Sequence, residues 1–591
     1  MNRKSIDVMK VFVNVIKDLF CTHSLYCIGL IIFLILSSFG SLVMVKFIEY
    51  ITEIATLFYD NSNIQSSEIV MTISVFVIVL LASTLVVQLY EIFKIHFQKQ
   101  VDEHLSAKLR KKLSRICYEY YETSVIFEKL NRVNEKVVKG YQTVIESIIK
   151  VIEILCYIVI YAFYLTKVNV YFAVFVVVSI VFSGIMATRM SSEKNKMFVD
   201  VTRLQQKRDY LSQIPREKAM HQEYQTARLR KEISKKYEEA YIDTQKAYLK
   251  IHWYTILAES KALLLLVLTI LCTYSYLAFQ ILDGKAAVGS VISFMLIFDT
   301  LYKKSEALSY YIARRVEDML IVREYYEIMD YTEMTEQKKE SIEAYSIQAV
   351  NISYKYPQSE KMALDGLNLN VRQGEKIAIV GENGSGKSTF TNIVLGLLTQ
   401  FDGNLIIGGE TYSRQNPPPV GLVKALSQDF AMYQLSIKEN ILLGKDNVTD
   451  HELEGILELA GVEKMVYSLP EKAQTKLGQL DEGGVELSKG QEQRLAAARM
   501  IANSDVPIWI FDEPTVFLDP LAEIDMYKFL YSFSNEKTMF FISHRLGFAP
   551  MADRILVFHK GRAEEVGSHE ELMQKNGRYA QMYAAQKSWY E

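Results

Sequence analysis

The first half of the chain alternates between long apolar runs and densely charged intervals, and the second half does not. Leu25–Val45, Ile69–Tyr90, Val168–Thr188 and Ala262–Leu282 each run for 21 or 22 residues without a charged side chain. At ~1.5 Å rise per residue, a helix of that length spans ~30 Å, the hydrocarbon thickness of a bilayer. Ile154–Thr166 and Ala286–Phe298 are charge-free over 13 residues each. They complete spans whose charged flanks face protein or water. The pattern predicts six spans, near residues 25–48, 69–90, 147–166, 168–188, 258–282 and 286–302.

Charge orients these spans. Glu49–Glu68 holds Glu49, Glu53, Asp60 and Glu68 and no Lys or Arg, whereas Glu91–Glu146 carries eleven Lys or Arg. Basic loops stay on the cytoplasmic side. Both termini are therefore expected in the cytoplasm of a cell-membrane protein, with Arg189–Lys261 a long internal excursion. Leu105, Leu109, Leu113 and Cys117 recur every four residues, so helices are expected to continue below the membrane. Ile214–Pro215 marks a break at the bottom of the second excursion.

Before the first span, Val8, Met9, Phe12, Val13, Ile16 and Phe20 share a helical face, with Lys10 and Lys17 elsewhere. Residues 1–24 are predicted to form an amphipathic helix on the inner leaflet; the alternative is a plain extension of the first span. Arg3 and Lys4 resemble the start of a secretory signal, but the apolar run is too long and no small-residue cleavage site follows. No protease domain is expected ahead of the spans. The expected organisation is a membrane domain over 25–330, a linker over 331–344 whose Met334–Ala344 is rich in Glu, Gln and Lys, and a second domain over 345–591.

Composition narrows the function. Lys plus Arg is 66 against 69 Asp plus Glu, a net charge of −3, which excludes a nucleic-acid-coating protein. Five cysteines without CxxC spacing argue against a disulfide framework or a zinc site.

The chemistry lies in the second half. Lys376–Val380 is a short apolar strand that runs into GENGSGKST, Gly381–Thr389, and then into the helical stretch Phe390–Leu398. This is a phosphate-binding loop in its strand–loop–helix context. Gly381, Gly384 and Gly386 let backbone N–H groups point at phosphate oxygens; Asn383, Ser385 and Thr389 complete the cradle. Lys387 reaches the outer phosphates, and Ser388 can ligate Mg²⁺. A second strand, Ile508–Phe511, ends in Asp512–Glu513. Asp512 suits metal coordination, and Glu513 suits orienting or deprotonating water.

Leu487–Gln491 (LSKGQ), followed by EQRLAAAR, resembles the signature segment of ABC transporters. Other elements of that family fall in order: Tyr356 matches the adenine-stacking aromatic, and Gln428 the glutamine that senses Mg²⁺ and the membrane domain. Asp519 matches the aspartate beyond the second acidic strand, His544 the switch histidine, and Glu482–Gly484 the exporter loop before the signature. The resemblance implies a six-helix transmembrane domain with long cytoplasmic helical extensions, followed by an α/β P-loop NTPase domain. It implies ATP and Mg²⁺, with Ser388, Gln428 and Asp512 on the metal and Glu513, His544 and Gln428 in catalysis.

It also implies that Ser488, Lys489, Gly490 and Gln491 meet the ATP of a second subunit. The partner is then another copy of the chain, a heterodimer being the alternative. Two departures stand out: Lys489 replaces a glycine, and Val516 and Phe517 are bulky where the family has small residues. The expected function is ATP-driven export of a peptide or amphiphile by alternating access, in contact with lipid. A lipid flippase and an ATP-gated channel or regulatory membrane protein are the alternatives. Glu146, Lys150, Glu153, His252, Glu259, Asp299 and Lys303 either line the cargo path or pair with one another.

Overall fold

The computed structural model describes residues 8–59, 66–168, 178, 197, 201, 203–283, 288–314, 316–334, 346–357, 359–443, 445, 448–480, 483–502, 506–514, 526–527, 530–531 and 537–587. The chain divides into two compact units: residues 1–114 with 128–331, and residues 115–127 with 332–591.

The first unit is helical: α1 (Val8–Tyr59), α2 (Ser66–Leu113), α3 (Ser124–Val168), α4 (Lys218–Thr226), α5 (Arg230–Leu282), α6 (Val288–Arg314) and α7 (Val316–Met329). Lys10–Thr56 and Val70–Leu113 are long and apolar enough to cross a membrane. Val70, Ile78, Leu81 and Leu85 of α2 are exposed, the arrangement a lipid-facing helix requires. The expected spans at 147–166 and 258–282 lie within α3 and α5, and the one at 286–302 lies within α6 from Val288 onward; the one at 168–188 falls almost wholly outside the described residues. α1 is continuous through the amphipathic stretch and bends at His23, where φ is −135° and ψ is 41°. Val11, Val15 and Leu19 are buried there, while Val13, Ile16 and Phe20 are exposed.

Tyr157, Tyr161 and Tyr164 of α3 recur at helical spacing and pack with Val45 of α1 and Phe294, Ile297, Phe298 and Leu301 of α6. The Tyr161 hydroxyl lies 2.6 Å from the Ser41 hydroxyl. The charges below them pair with one another. Buried Glu153 accepts from Lys150 at 2.7 Å and from Lys304 at 2.5 Å, and Lys303 donates to Asp299 at 2.7 Å. The Glu259 side chain lies outside the described residues.

The second unit is built on two sheets. β1 (Ile347–Tyr354), β2 (Leu364–Val371), β4 (Asp402–Ile407) and β5 (Glu410–Tyr412) form an antiparallel sheet ordered β2–β1–β4–β5. The larger sheet is ordered β10–β9–β3–β8–β7–β6. Its strands are β3 (Lys376–Gly381), β6 (Val423–Leu426), β7 (Ile508–Asp512), β8 (Thr538–Ile542), β9 (Arg554–His559) and β10 (Arg562–Gly567). All its pairings are parallel except β9–β10.

β3 shows why its sequence is uninterrupted and apolar. Ile377 and Ile379 enter one core, shared with the antiparallel sheet, and Ala378 and Val380 enter the core on the opposite face. A strand buried on both faces keeps no polar side. The parallel order also means that β3, β8, β7 and β6 end on one edge, where ligands bind in open α/β sheets.

Candidate nucleotide-hydrolysis site

That edge assembles most of the residues singled out from the sequence. The loop after β3 leads into α8 (Lys387–Val394), whose N-cap is Gly386 at φ 107°. A Cβ at Gly386 would sit 2.6 Å from the Ala363 carbonyl oxygen, and one at Gly381 would sit 2.4 Å from that of Phe558. Sterics as well as conformation therefore demand glycine at both positions. Lys387 is buried and donates to the carbonyls of Gly381 at 2.8 Å and Glu382 at 3.1 Å. Burial pushes its pKa down, and the carboxylates of Glu513 and Asp512 oppose that shift.

Ser385 Oγ is buried and, among the described residues, has no hydrogen-bond partner. A buried hydroxyl without a partner is costly. One in the middle of a phosphate-type loop fits a phosphate oxygen. Ser388 and Asn383 are exposed on the same turn, and Thr389 is buried beneath it. The Tyr356 hydroxyl lies 3.3 Å from that of Thr389. Tyr356 stands edge-on to Tyr354, with centroids 5.0 Å apart at 88°. Tyr354 is buried, whereas Tyr356 is partly exposed.

On β7, burial, with Glu513 and Asp429 beside it, raises Asp512 to about 6 against the pull of Lys387. Glu513 sits at φ 51°, in left-handed territory uncommon for a glutamate, and its N–H donates to the Ile542 carbonyl at 2.9 Å. His544, two residues past β8, places Nδ1 2.8 Å from Glu513 Oε1. Gln428, two residues past β6, is exposed on the same edge. Among the described residues no group of three or more His, Cys, Asp and Glu is placed to hold a metal.

The LSKGQ segment makes its own contacts. Ser488 precedes α12 (Lys489–Ala502), with α9 (Ile437–Leu442), α10 (Asp450–Leu459) and α11 (Glu463–Tyr467) between. The Ser488 N–H donates to Gln491 Oε1 at 2.9 Å, and the Gln491 N–H to Ser488 Oγ at 3.3 Å. This is a reciprocal N-terminal cap. Lys489 and Gly490 take helical backbone, so no glycine is required at 489. Lys489 Nζ binds Glu492 at 2.7 Å, and the Lys489 side chain is 67% exposed. Asp519, Glu482, Val516 and Phe517 lie outside the described residues.

Residues 364–516 match the family model for ABC transporters. A subtilin transport ATP-binding protein of Bacillus subtilis is 28% identical over 92% of this chain and 91% of that protein. A nisin transport ATP-binding protein of Lactococcus lactis is 30% identical over 51% of this chain and 52% of its own. An ATP-dependent lipid A-core flippase of Desulfotalea psychrophila is 32% identical over 52% of this chain and 54% of its own. The solved structure of a bacterial Atm1-family ABC exporter with ATP bound superposes with a TM-score of 0.81, at 18% identity, over 96% of this chain and 99% of that one. Residues 364–516 lie in an ABC transporter ATPase domain, and the chain has the fold of an ABC exporter. Its helical domain is fused to an ABC ATPase domain that binds ATP.

The ATPase unit also includes a segment whose role sequence reading missed. Arg115–Phe127, the loop between α2 and α3 together with the first turn of α3, belongs to it. Ile116 bridges Glu333, and the Met334 N–H donates to the Arg115 carbonyl at 2.7 Å. Glu119 accepts from the Gln400 N–H at 2.9 Å and from that of Thr399. Burial and the carboxylate of Glu122 push Tyr118 up to about 12. The one available signal was the aromatic, acidic run Tyr118–Glu122 inside an otherwise basic loop. Asp429 was also missed; it adjoins Gln428 but matches no motif.

Proposed function

We propose that this chain is a half-transporter that couples ATP hydrolysis to export of a peptide or amphiphile across the cytoplasmic membrane, working as a dimer of two copies. The observation that carries the reading is the meeting of Lys387, Asp512, Glu513 and His544 at one sheet edge, in a chain whose other unit includes two helices long and apolar enough to cross a membrane. In this reading Tyr356 stacks the adenine, and the N–H groups of Gly381–Thr389 and the Ser385 hydroxyl receive the phosphates. Lys387 exchanges its two carbonyl acceptors for the terminal phosphates. Glu513 polarises the attacking water, and His544 holds the Glu513 carboxylate in place. Ser388, Gln428 and Asp512 would hold Mg²⁺, and the ion would supply charge neutralisation at the phosphates. Ser488–Gln491 and Asp519 serve the site shared with the second copy, and both termini face the cytoplasm.

The cargo class draws support from the relative aligned over nearly the whole chain, which is named for subtilin transport. The flippase likeness spans about half of it. Lys150, Glu153 and Lys304 satisfy one another, so tyrosine-rich walls, as around Tyr157 and Tyr161, would meet an amphiphile. The test is ATPase stimulation in lipid nanodiscs over a panel of peptides, lipids and drugs, followed by uptake of the best stimulant into inside-out vesicles. Peptide-stimulated, ATP-dependent uptake is expected. Stimulation by lipids alone would favour the flippase, and ATP-gated conductance without turnover would overturn export.

A further inference from the structure

The last described helix, α14 (Arg578–Lys587), follows α13 (His569–Lys575) and touches two loops of the site, one near each of its ends. Near its C-terminus, Gln586 Oε1 accepts the Leu546 N–H at 2.8 Å, and Gln586 Nε2 donates to the His544 carbonyl. A single amide thus brackets the backbone of the loop that carries His544. At its N-terminus, Arg578 donates to Glu382 Oε1 at 3.1 Å, to Glu564 Oε2 at 3.0 Å, and lies 3.1 Å from His559 Nε2. Glu382 is the phosphate-loop residue whose carbonyl accepts from Lys387. Between these ends Tyr579 is fully buried, with its hydroxyl 2.8 Å from His569 Nδ1. The helix therefore has a fixed seat in the core, and Arg578 and Gln586, the two residues that reach the site loops, are eight positions and ~12 Å apart along the axis.

We infer that α14 is a brace for hydrolysis, with Gln586 the positioning residue for the His544 loop and Arg578 the positioning residue for the phosphate loop. Neither touches the substrate. Gln586 sets the backbone from which the His544 ring reaches Glu513, so its loss acts on turnover. Arg578 restrains Glu382 through a fork shared with Glu564, a network rather than a lone surface pair. Its loss acts on nucleotide affinity.

The experiment uses the full-length chain in nanodiscs and reads kcat, KM for ATP and melting temperature. Gln586→Met keeps the side-chain length and removes both hydrogen bonds. It is expected to lower kcat roughly 5- to 30-fold with KM within about twofold of wild type, as for one or two lost hydrogen bonds. Gln586→Glu, which keeps only the acceptor, is expected to show the same split. Arg578→Ala is expected to raise KM roughly 3- to 10-fold with kcat little changed, and Glu382→Ala combined with it to add nothing further. Wild-type kcat in Gln586→Met, or a loss of activity that tracks melting temperature in every variant, would overturn the brace. The inference rests on His544 acting in hydrolysis. His544→Ala separates the two: turnover retained there removes that assignment and the brace with it. Turnover lost in His544→Ala but kept in Gln586→Met removes the brace alone.

Discussion

His544 Nδ1 lies 2.8 Å from Glu513 Oε1. The two residues are 31 positions apart and meet because β7 and β8 are adjacent parallel strands in which Asp512 is in register with Ile542. Glu513 takes a left-handed backbone at φ 51° immediately past its strand, which costs of order 1–3 kcal/mol for such a residue. Backbone strain of that kind concentrates at working sites.

Glu513→Gln keeps the side-chain volume and the contact with His544 but removes the carboxylate that polarises water. Steady-state hydrolysis is expected to fall ~10²-fold or more while ATP still binds. A phosphate-release assay paired with equilibrium nucleotide binding checks it. Turnover close to wild type would show that another group activates the water.

Tyr356→Ala should weaken ATP binding by ~1–3 kcal/mol, and Tyr356→Trp should preserve it. Tyr354 is buried and packs edge-on against Tyr356, so its own face is not available to a base. Titration with a fluorescent ATP analogue reads the difference. Equal affinity for Tyr356→Ala and wild type would place the adenine elsewhere.

Lys489→Gly should change KM and kcat for ATP by less than about twofold. The Lys489 ammonium is exposed and occupied by Glu492 at 2.7 Å, and such surface pairs contribute ~0–1 kcal/mol. A large fall in both constants would mean that the lysine leaves Glu492 for the nucleotide in the assembled transporter.

Asp512 carries a carboxyl raised to about 6 by burial and by Glu513 and Asp429, above the ~3.9 of an unfolded aspartate. A raised carboxyl holds its proton more tightly in the folded chain. Above its folded pKa the ionised, buried form therefore opposes stability, and a cation relieves that penalty. The melting-temperature gain from Mg²⁺ with ATP should be larger at about pH 7.5 than at about pH 5.5. Asp512→Asn should reduce the gain at both. A gain equal at the two pH values in wild type would exclude Asp512 from the metal.

Local pattern determined much of this protein. The described charge-free runs are long helices because their length and apolarity admit little else in lipid, and Gly381–Thr389 announces a phosphate loop because those residue types suit that backbone. Asp512–Glu513 could be read as an acidic strand end for the same reason. Tertiary structure decided what depends on strand order and register, which no local periodicity encodes. The order β3–β8–β7–β6 is what brings Lys387, His544, Asp512 and Gln428 to one edge. Helical backbone at Lys489 removes the need for glycine that the motif suggested. Glu119 became part of the ATPase unit because its carboxylate caps N–H groups some 280 residues away. Gln586, ordinary in sequence, reaches the His544 loop only because Tyr579 buries its helix in the same core as Phe541 and Phe548.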